Sequence, residues 1–260
     1  MAIVGIGVSQ KSRLRKPEAL QSGMRTDGAG KSVKNIVLLS IPDSEYDLIR
    51  PHLEPIDLPH HFILHEAGEK IGYAYFPNDG MTSLVVTTKD GRSVEVGIVG
   101  REGIVGTPLA VGMNRAPYLG IQQIPGSGLR IRSEVLEDVL LLSPSLHLEL
   151  GRYAVIQGIQ VAQIAACNRL HEIDQRLARW LLMCQDRVDS DTLFLTHEFL
   201  ADMLGAGRPS VTLAAGILQR AGLIENVRGT IRIINRKDLE NAACECYNVV
   251  QNLNGGLGLR

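Results

Sequence analysis

The chain has 260 residues, 45% hydrophobic and only 4% aromatic, with a formal net charge of −1. That length holds about two domains with largely aliphatic cores, and the near-neutral charge argues against indiscriminate polyanion binding. Lys and Arg outnumber acids seven to two over 1–34, acids lead fourteen to eight over 35–140, and the two stand at six to five over 196–240. The middle block is therefore a poor surface for nucleic acid, and the two ends are better ones.

Residues 1–34 mix Gly, Ser, Lys and Arg without period and read as a flexible basic tail. A short helix is expected over 42–50, capped by Asp43 or Ser44. From 53 to about 132, β-branched runs at 62–65, 71–76, 83–88, 93–99, 118–124 and 129–132 alternate with turn residues. Asp90-Gly91 between two alternating runs is a strong hairpin signal. Many short strands at near-regular spacing predict a β-sandwich or β-roll.

Helical texture begins at Pro144. Leu146, Leu150 and Tyr153 form one apolar stripe, and Leu148, Val155, Ile159, Ala162 and Ala166 form another. A helix with two stripes buries two faces, one on its own domain and one on a partner helix. The partner seam is assigned to Leu146, Leu150, Tyr153 and Gln157. A bend is expected near Asn168, then a second helix to Asp186, then a polar linker over 187–192. No apolar run approaches the length of a membrane span.

The chemistry-bearing stretch is 196–234. Thr196 caps a helix with a Phe199, Leu200, Met203, Leu204 core stripe, Gly205-Ala206-Gly207 makes a tight turn, and Pro209 opens a second helix with Val211, Ala214, Ala215 and Leu218 inward. Gly222 stops it. Two short helices joined by a three-residue turn make a helix-turn-helix. Two strand runs about Arg228-Gly229-Thr230 then make a wing.

The run Leu195-Thr196-His197-Glu198-Phe199-Leu200-Ala201-Asp202-Met203-Leu204-Gly205, then Arg208-Pro209-Ser210-Val211-Thr212 and Leu218-Gln219-Arg220-Ala221-Gly222-Leu223-Ile224, resembles the C-terminal domain of the Crp/Fnr family of transcription regulators. The resemblance covers about 35–248. It implies an α+β chain: an N-terminal double-stranded β-helix (a jelly-roll-like β-roll, 35–142), a long dimerisation helix and its connection (143–187), and a winged helix-turn-helix (188–250). Flanking ends, 1–34 and 251–260, are expected to be flexible.

By the same resemblance, Arg208 is the guanine-reading arginine. Ser210 and Thr212 lie beside it on the reading helix. Thr196, His197 and Glu198 stand at contact positions of the first helix, and Arg228 and Arg232 of the wing reach phosphates. Pro209 and Leu213 depart from the family pattern: they stand where an acidic reader and a second arginine are common, so the half-site should differ from the family's best-known one. The partners implied are double-stranded DNA, a second copy of the chain, RNA polymerase and a small-molecule effector of unknown identity. No membrane contact is expected, and the chain reads as cytoplasmic.

Relatives that bind cyclic AMP carry a Gly-Glu pair followed by an Arg-Ser or Arg-Thr pair. The matching positions here are Gly103, Ile104, Val105, Arg115 and Ala116, which lack the carboxylate and the hydroxyl, so a cyclic nucleotide is not expected. Cys167, Cys184, Cys244 and Cys246 fall in three regions and read as reduced thiols. The Cys-x-Cys pair reads as two small buried side chains, His60, His61 and His65 as exposed strand histidines. No metal or cofactor is assigned. No phosphate loop, Gly-x-Ser-x-Gly or His-Glu-x-x-His motif supports an enzyme. The competing reading is a ligand-binding or protein-interaction module of the same architecture that no longer reads DNA.

Overall fold

The computed structural model describes residues 25–188 and 190–256, and side chains as far as residue 252. The basic tail expected over 1–34 lies outside the described residues up to residue 24, and the flexible end expected over 251–260 lies outside them from residue 257. Residues 25–34, assigned to the tail, are instead built into the fold. Arg25 donates to the carbonyls of Leu38 and Ile41, pairs with Asp43 at 2.6 Å and lies 4.8 Å from the centre of the Tyr46 ring. Val33 is fully buried.

Helix α1 (Ile36–Ser40) is capped by buried Asn35, whose amide also donates to the carbonyls of Pro77 and Gly103. Helix α2 (Asp43–Ile49) starts from the extended backbone of Pro42 with no side-chain cap, which corrects the cap expected at Asp43 or Ser44.

Seven strands follow: β1 (Glu54–Leu58), β2 (Ile63–His65), β3 (Tyr73–Pro77), β4 (Met81–Thr87), β5 (Ser93–Val99), β6 (Leu119–Ile124) and β7 (Gly126–Arg132). They form two antiparallel sheets, ordered β1-β7-β3 and β2-β6-β4-β5. Strands β4 and β5 are the hairpin expected about Asp90-Gly91, closing at Thr87 opposite Ser93. Residues 126–128, read as a turn, belong to β7. A side chain at Gly128 would sit 2.7 Å from the Phe76 carbonyl oxygen, so the close strand approach itself requires glycine. Strand β1 escapes the hydrophobic pattern because it is a polar edge strand containing Pro55.

Helix α3 (Ser133–Leu142) caps the roll, in a stretch assigned to the roll for which no element was expected. Helices α4 (Pro144–Leu170) and α5 (Ile173–Gln185) follow, breaking at His171-Glu172, slightly beyond the expected Asn168. The remaining chain comprises β8 (Thr192–Phe194), α6 (His197–Leu204), α7 (Arg208–Arg220), β9 (Ile224–Val227), β10 (Thr230–Ile233), α8 (Arg236–Ala242) and α9 (Cys246–Gly256). None of the described helices is long and apolar enough to cross a membrane.

Two cores form. One fills the roll and takes in Leu136, Leu146, Leu150 and Tyr153 from the helices. The other joins Met81, Val85 and Ile98 of the roll to α5, α6, α7 and the C-terminal strands. The C-terminal domain therefore packs directly on the β4–β5 sheet. Arg187, at the start of the polar linker expected over 187–192, is part of this joint. Arg187 is buried, pairs with buried Glu102 at 2.6 Å and donates to the Met183 carbonyl.

Glu95 lies in the same joint. It accepts from Ser83 at 2.5 Å and from the Trp180 indole at 2.8 Å. Burial pushes its carboxyl up to about 7, against the opposing pull of those hydrogen bonds and of the nearby Arg179 and Arg187 charges. The native state holds this proton more tightly than the unfolded chain. Its contribution to stability is thus complete below the unfolded value near 4.5, declines as pH rises to about 7, and is flat above. Glu95→Gln is expected to remove that decline and to raise Tm at pH 8. An unaltered Tm-against-pH curve would contradict this account.

Candidate functional site

Helix α6 begins at Thr196, whose hydroxyl accepts from the Phe199 amide, and ends at Gly205. Gly205 has φ +55°, and a side chain there would meet Val94 of β5 at 3.0 Å. The turn between the helices thus needs glycine both for its left-handed backbone and for its seat on the roll. Pro209 lies in the first turn of α7, where an amide hydrogen is dispensable. Val211, Ala214, Ala215 and Leu218 are buried, which leaves Arg208, Pro209, Ser210, Thr212 and Leu213 exposed on the opposite face.

Arg208 is the free end of this face. Its side chain is 67% exposed and its one ion pair, to Glu198 of α6, measures 3.2 Å. Leu213 is 61% exposed. Its methyls cannot donate a hydrogen bond but can touch a thymine methyl.

His197 is less free than its sequence position suggests. Its Nε2 accepts from the Asn226 amide at 2.6 Å, which leaves the proton on Nδ1 to donate to Thr212 Oγ1 at 2.9 Å. This histidine ties α6 to α7 and to β9, and it turns the Thr212 hydroxyl proton outward. Asn226 was missed by sequence reading, because nothing local marks a side chain 29 positions from its partner.

The wing is a two-residue hairpin in which Val227 faces Thr230, with Arg228 (φ +44°) and Gly229 (φ +80°) at its tip. Arg228 is exposed there. Arg232 is held across the strands by Glu225 at 3.0 Å. Strand β8, unforeseen, adds a third strand to this sheet.

Two expected groups are placed differently. Gly103, Ile104, Val105 and Ala116 are packed into the roll, not arranged around a ligand. Ile104 and Val105 are core, a side chain at Gly103 would fall 1.9 Å from the Tyr153 ring, and Arg115 donates to the Gly68 carbonyl at 2.8 Å. The seam assignment of Leu146, Leu150, Tyr153 and Gln157 is also corrected. All four are buried on this chain's own roll, with Gln157 accepting from Thr107 at 2.8 Å. The second stripe faces outward: Leu148 is 55%, Val155 63% and Ile159 39% exposed. Along it, between α4, the 3-10 turn Thr107–Val111 and Asn252, runs an apolar cleft of about 860 Å³.

The histidines of the roll stay apart from any such site. His65 bonds to the Tyr73 carbonyl at 2.7 Å, while His61 sits in a left-handed turn stacked on His60.

All four cysteines are free and buried, as read for the Cys-x-Cys pair, but three of them cluster in a way the sequence did not lead one to expect. Cys184 is buried beside Met81. Cys167, at the end of α4, meets Cys244 and Cys246, which precede and open α9, together with His171. The Cys167 and Cys244 sulfurs are 3.5 Å apart, within hydrogen-bond reach, and that contact draws the Cys167 thiol below its ordinary range.

Residues 175–242 match the family of Crp-like helix-turn-helix domains. The fold is similar to that of FixK2 from Bradyrhizobium japonicum, at 16% identity and TM-score 0.64 over 74% of this chain and 98% of that one. It is also similar to the c-di-GMP responsive global regulator CLP of Xanthomonas campestris, at 17% identity and TM-score 0.61 over 74% of this chain and 99% of that one. TTHB099, a CRP-family transcriptional regulator from Thermus thermophilus, stands at 21% identity and TM-score 0.59 over 72% of this chain and 96% of that one. At such identities the likeness is one of fold. No curated protein matches the chain.

Proposed function

We propose that this chain, whose residues 175–242 match the Crp-like helix-turn-helix domain and whose fold is similar to that of FixK2, is a transcription regulator of the Crp/Fnr type, a homodimer reading a near-palindromic operator through α7. The observation that carries this reading is the outward face of α7. An extended guanidinium at its N-terminus stands beside two hydroxyls and one apolar side chain, on a helix whose other face is wholly buried. An Arg fork can bond both major-groove acceptors of a guanine. The Thr196 end of α6 and the Arg228 wing tip flank this helix as phosphate contacts.

On this reading residues 35–142 are the sensor roll, 143–187 the connection and 188–250 the reader. The dimer forms along the outward stripe of α4. Leu148, Val155 and Ile159 supply apolar surface, and Gly151 and Gly158, where a side chain would meet no described residue outside their own helix, let the partner helix approach closely. Two copies of α7 then lie about one DNA turn apart. A signal that shifts α4 would alter that spacing through the Glu95 and Arg187 joint. The packing of Gly103, Ile104 and Val105 speaks against a cyclic nucleotide as the signal.

Arg208→Ala tests the reading helix. On sequences selected from a random DNA pool, discrimination at one guanine of each half-site should fall by about 1–3 kcal/mol, roughly 5- to 150-fold. Binding to random DNA should change little. Equal loss on all sequences would demote Arg208 to a phosphate contact.

A further inference from the structure

We propose that Cys167, His171, Cys244 and Cys246 form a tetrahedral Cys3His site for Zn²⁺ that fastens the end of the long helix α4 to the start of α9. The donor atoms of all four residues lie within 4.8 Å of one another. Cys167 and Cys244 sulfurs are 3.5 Å apart, and Cys246 sulfur is 3.5 Å from His171 Nδ1. A single zinc with bonds of about 2.3 Å to sulfur and 2.0 Å to nitrogen needs donors about 3.5–3.8 Å apart. The cluster is therefore close to a single-ion cage before any adjustment. A multi-iron cluster would need its thiolates spread around a larger core.

Local sequence makes the cage. Cys167 and His171 are four apart at the helix end, so they share a face. Ala243 leaves the helix in extended conformation, and the Cys-x-Cys that follows directs both sulfurs inward and Glu245 outward.

Three features beyond the donors fit a bound cation. Glu245 accepts from His171 Nε2 at 3.1 Å, the carboxylate–histidine pairing that orients a metal-binding imidazole and leaves Nδ1 for the metal. The Gln163 amide donates to Cys246 sulfur at 3.0 Å, a hydrogen bond that a metal-bound sulfur would also accept. Arg176 and Arg179 are buried with unpartnered Nε atoms, and both act electrostatically on Cys167. Zinc on three thiolates and a neutral imidazole carries a net charge of −1, which offsets this buried positive charge. The thiol protons of the three cysteines leave to solvent as the ion enters. Soft thiolates with one imidazole and no open position favour zinc in a closed, structural site.

The site holds whether or not the chain reads DNA as proposed above. Its test is the zinc content of the full chain, purified anaerobically under reductant without chelator. Native mass spectrometry is expected to show one zinc per chain. Replacement by Co²⁺ should give the visible bands of a tetrahedral thiolate complex. His171→Ala, at the rim of the cluster, should lose the ion while circular dichroism shows the fold retained, and His171→Cys should restore it. Glu245→Gln should lower zinc affinity about tenfold. Cys184→Ala, outside the cluster, should keep full content.

Several results would overturn the proposal. One is well under one zinc per wild-type chain with no cobalt spectrum after reconstitution. Another is iron with inorganic sulfide in place of zinc. A third is a Cys167–Cys244 disulfide as the only modification. The last is a folded Cys246→Ser chain with undiminished metal.

Discussion

Arg187→Ala is expected to lower the unfolding free energy by about 3–5 kcal/mol, a large part of the stability of an ordinary domain. The cost arises from what remains. Glu102 is buried, and without the guanidinium it keeps, among the contacts of the described residues, the Gly100 amide as a donor. Desolvation then acts on an uncompensated carboxylate. The double substitution Glu102→Gln with Arg187→Met removes both charges and should recover much of the loss. Urea midpoints at a fixed chain concentration measure all three variants. A double variant no more stable than Arg187→Ala would show that packing, not charge, holds the joint. Because this pair links the roll to the segment directly after α5, loosening it should also decouple the two domains, seen as two unfolding transitions in place of one.

The second large effect concerns the outward stripe of α4. Val155→Glu with Ile159→Glu places four carboxylates in the seam of the proposed dimer. Sedimentation should then give monomers, with a melting curve close to that of the parent, since neither side chain packs in its own chain's core. On this reading operator affinity falls by about 10²–10⁴-fold, because the second half-site no longer binds as an intramolecular event. Leu150→Ala provides the contrast. It should cost about 2–5 kcal/mol of stability through the roll it is buried in. Dimers that survive the two glutamates would place the seam elsewhere.

The helix-turn-helix domain was legible from sequence because each of its parts is local: a Thr cap, a glycine turn, a proline in the first turn and a hairpin. The long helix was half legible. Two apolar stripes announce two buried faces, but periodicity does not say which stripe meets the roll; the Tyr153 ring packed on Gly103 decides it. Strand β1 was hidden by Pro55 and its acidic residues. Helix α3 was hidden by its place directly after a strand, with no side-chain cap to announce it. The cysteine–histidine cluster was illegible for a different reason. Cys167 and Cys244 stand 77 residues apart, and only the return of α9 along α4 brings them into contact.

The pairing of Arg208 with Glu198, and of Arg232 with Glu225, has a kinetic meaning for a regulator of this kind. Each of these two arginines on the proposed DNA face carries its own carboxylate neighbour, so the face offers little net attraction to a bare phosphate chain. Contact with random sequence is then brief, and few copies are idle on the chromosome. Only a groove that draws Arg208 away from Glu198 holds the protein long enough to matter, so residence time, more than the rate of arrival, would distinguish an operator from its surroundings.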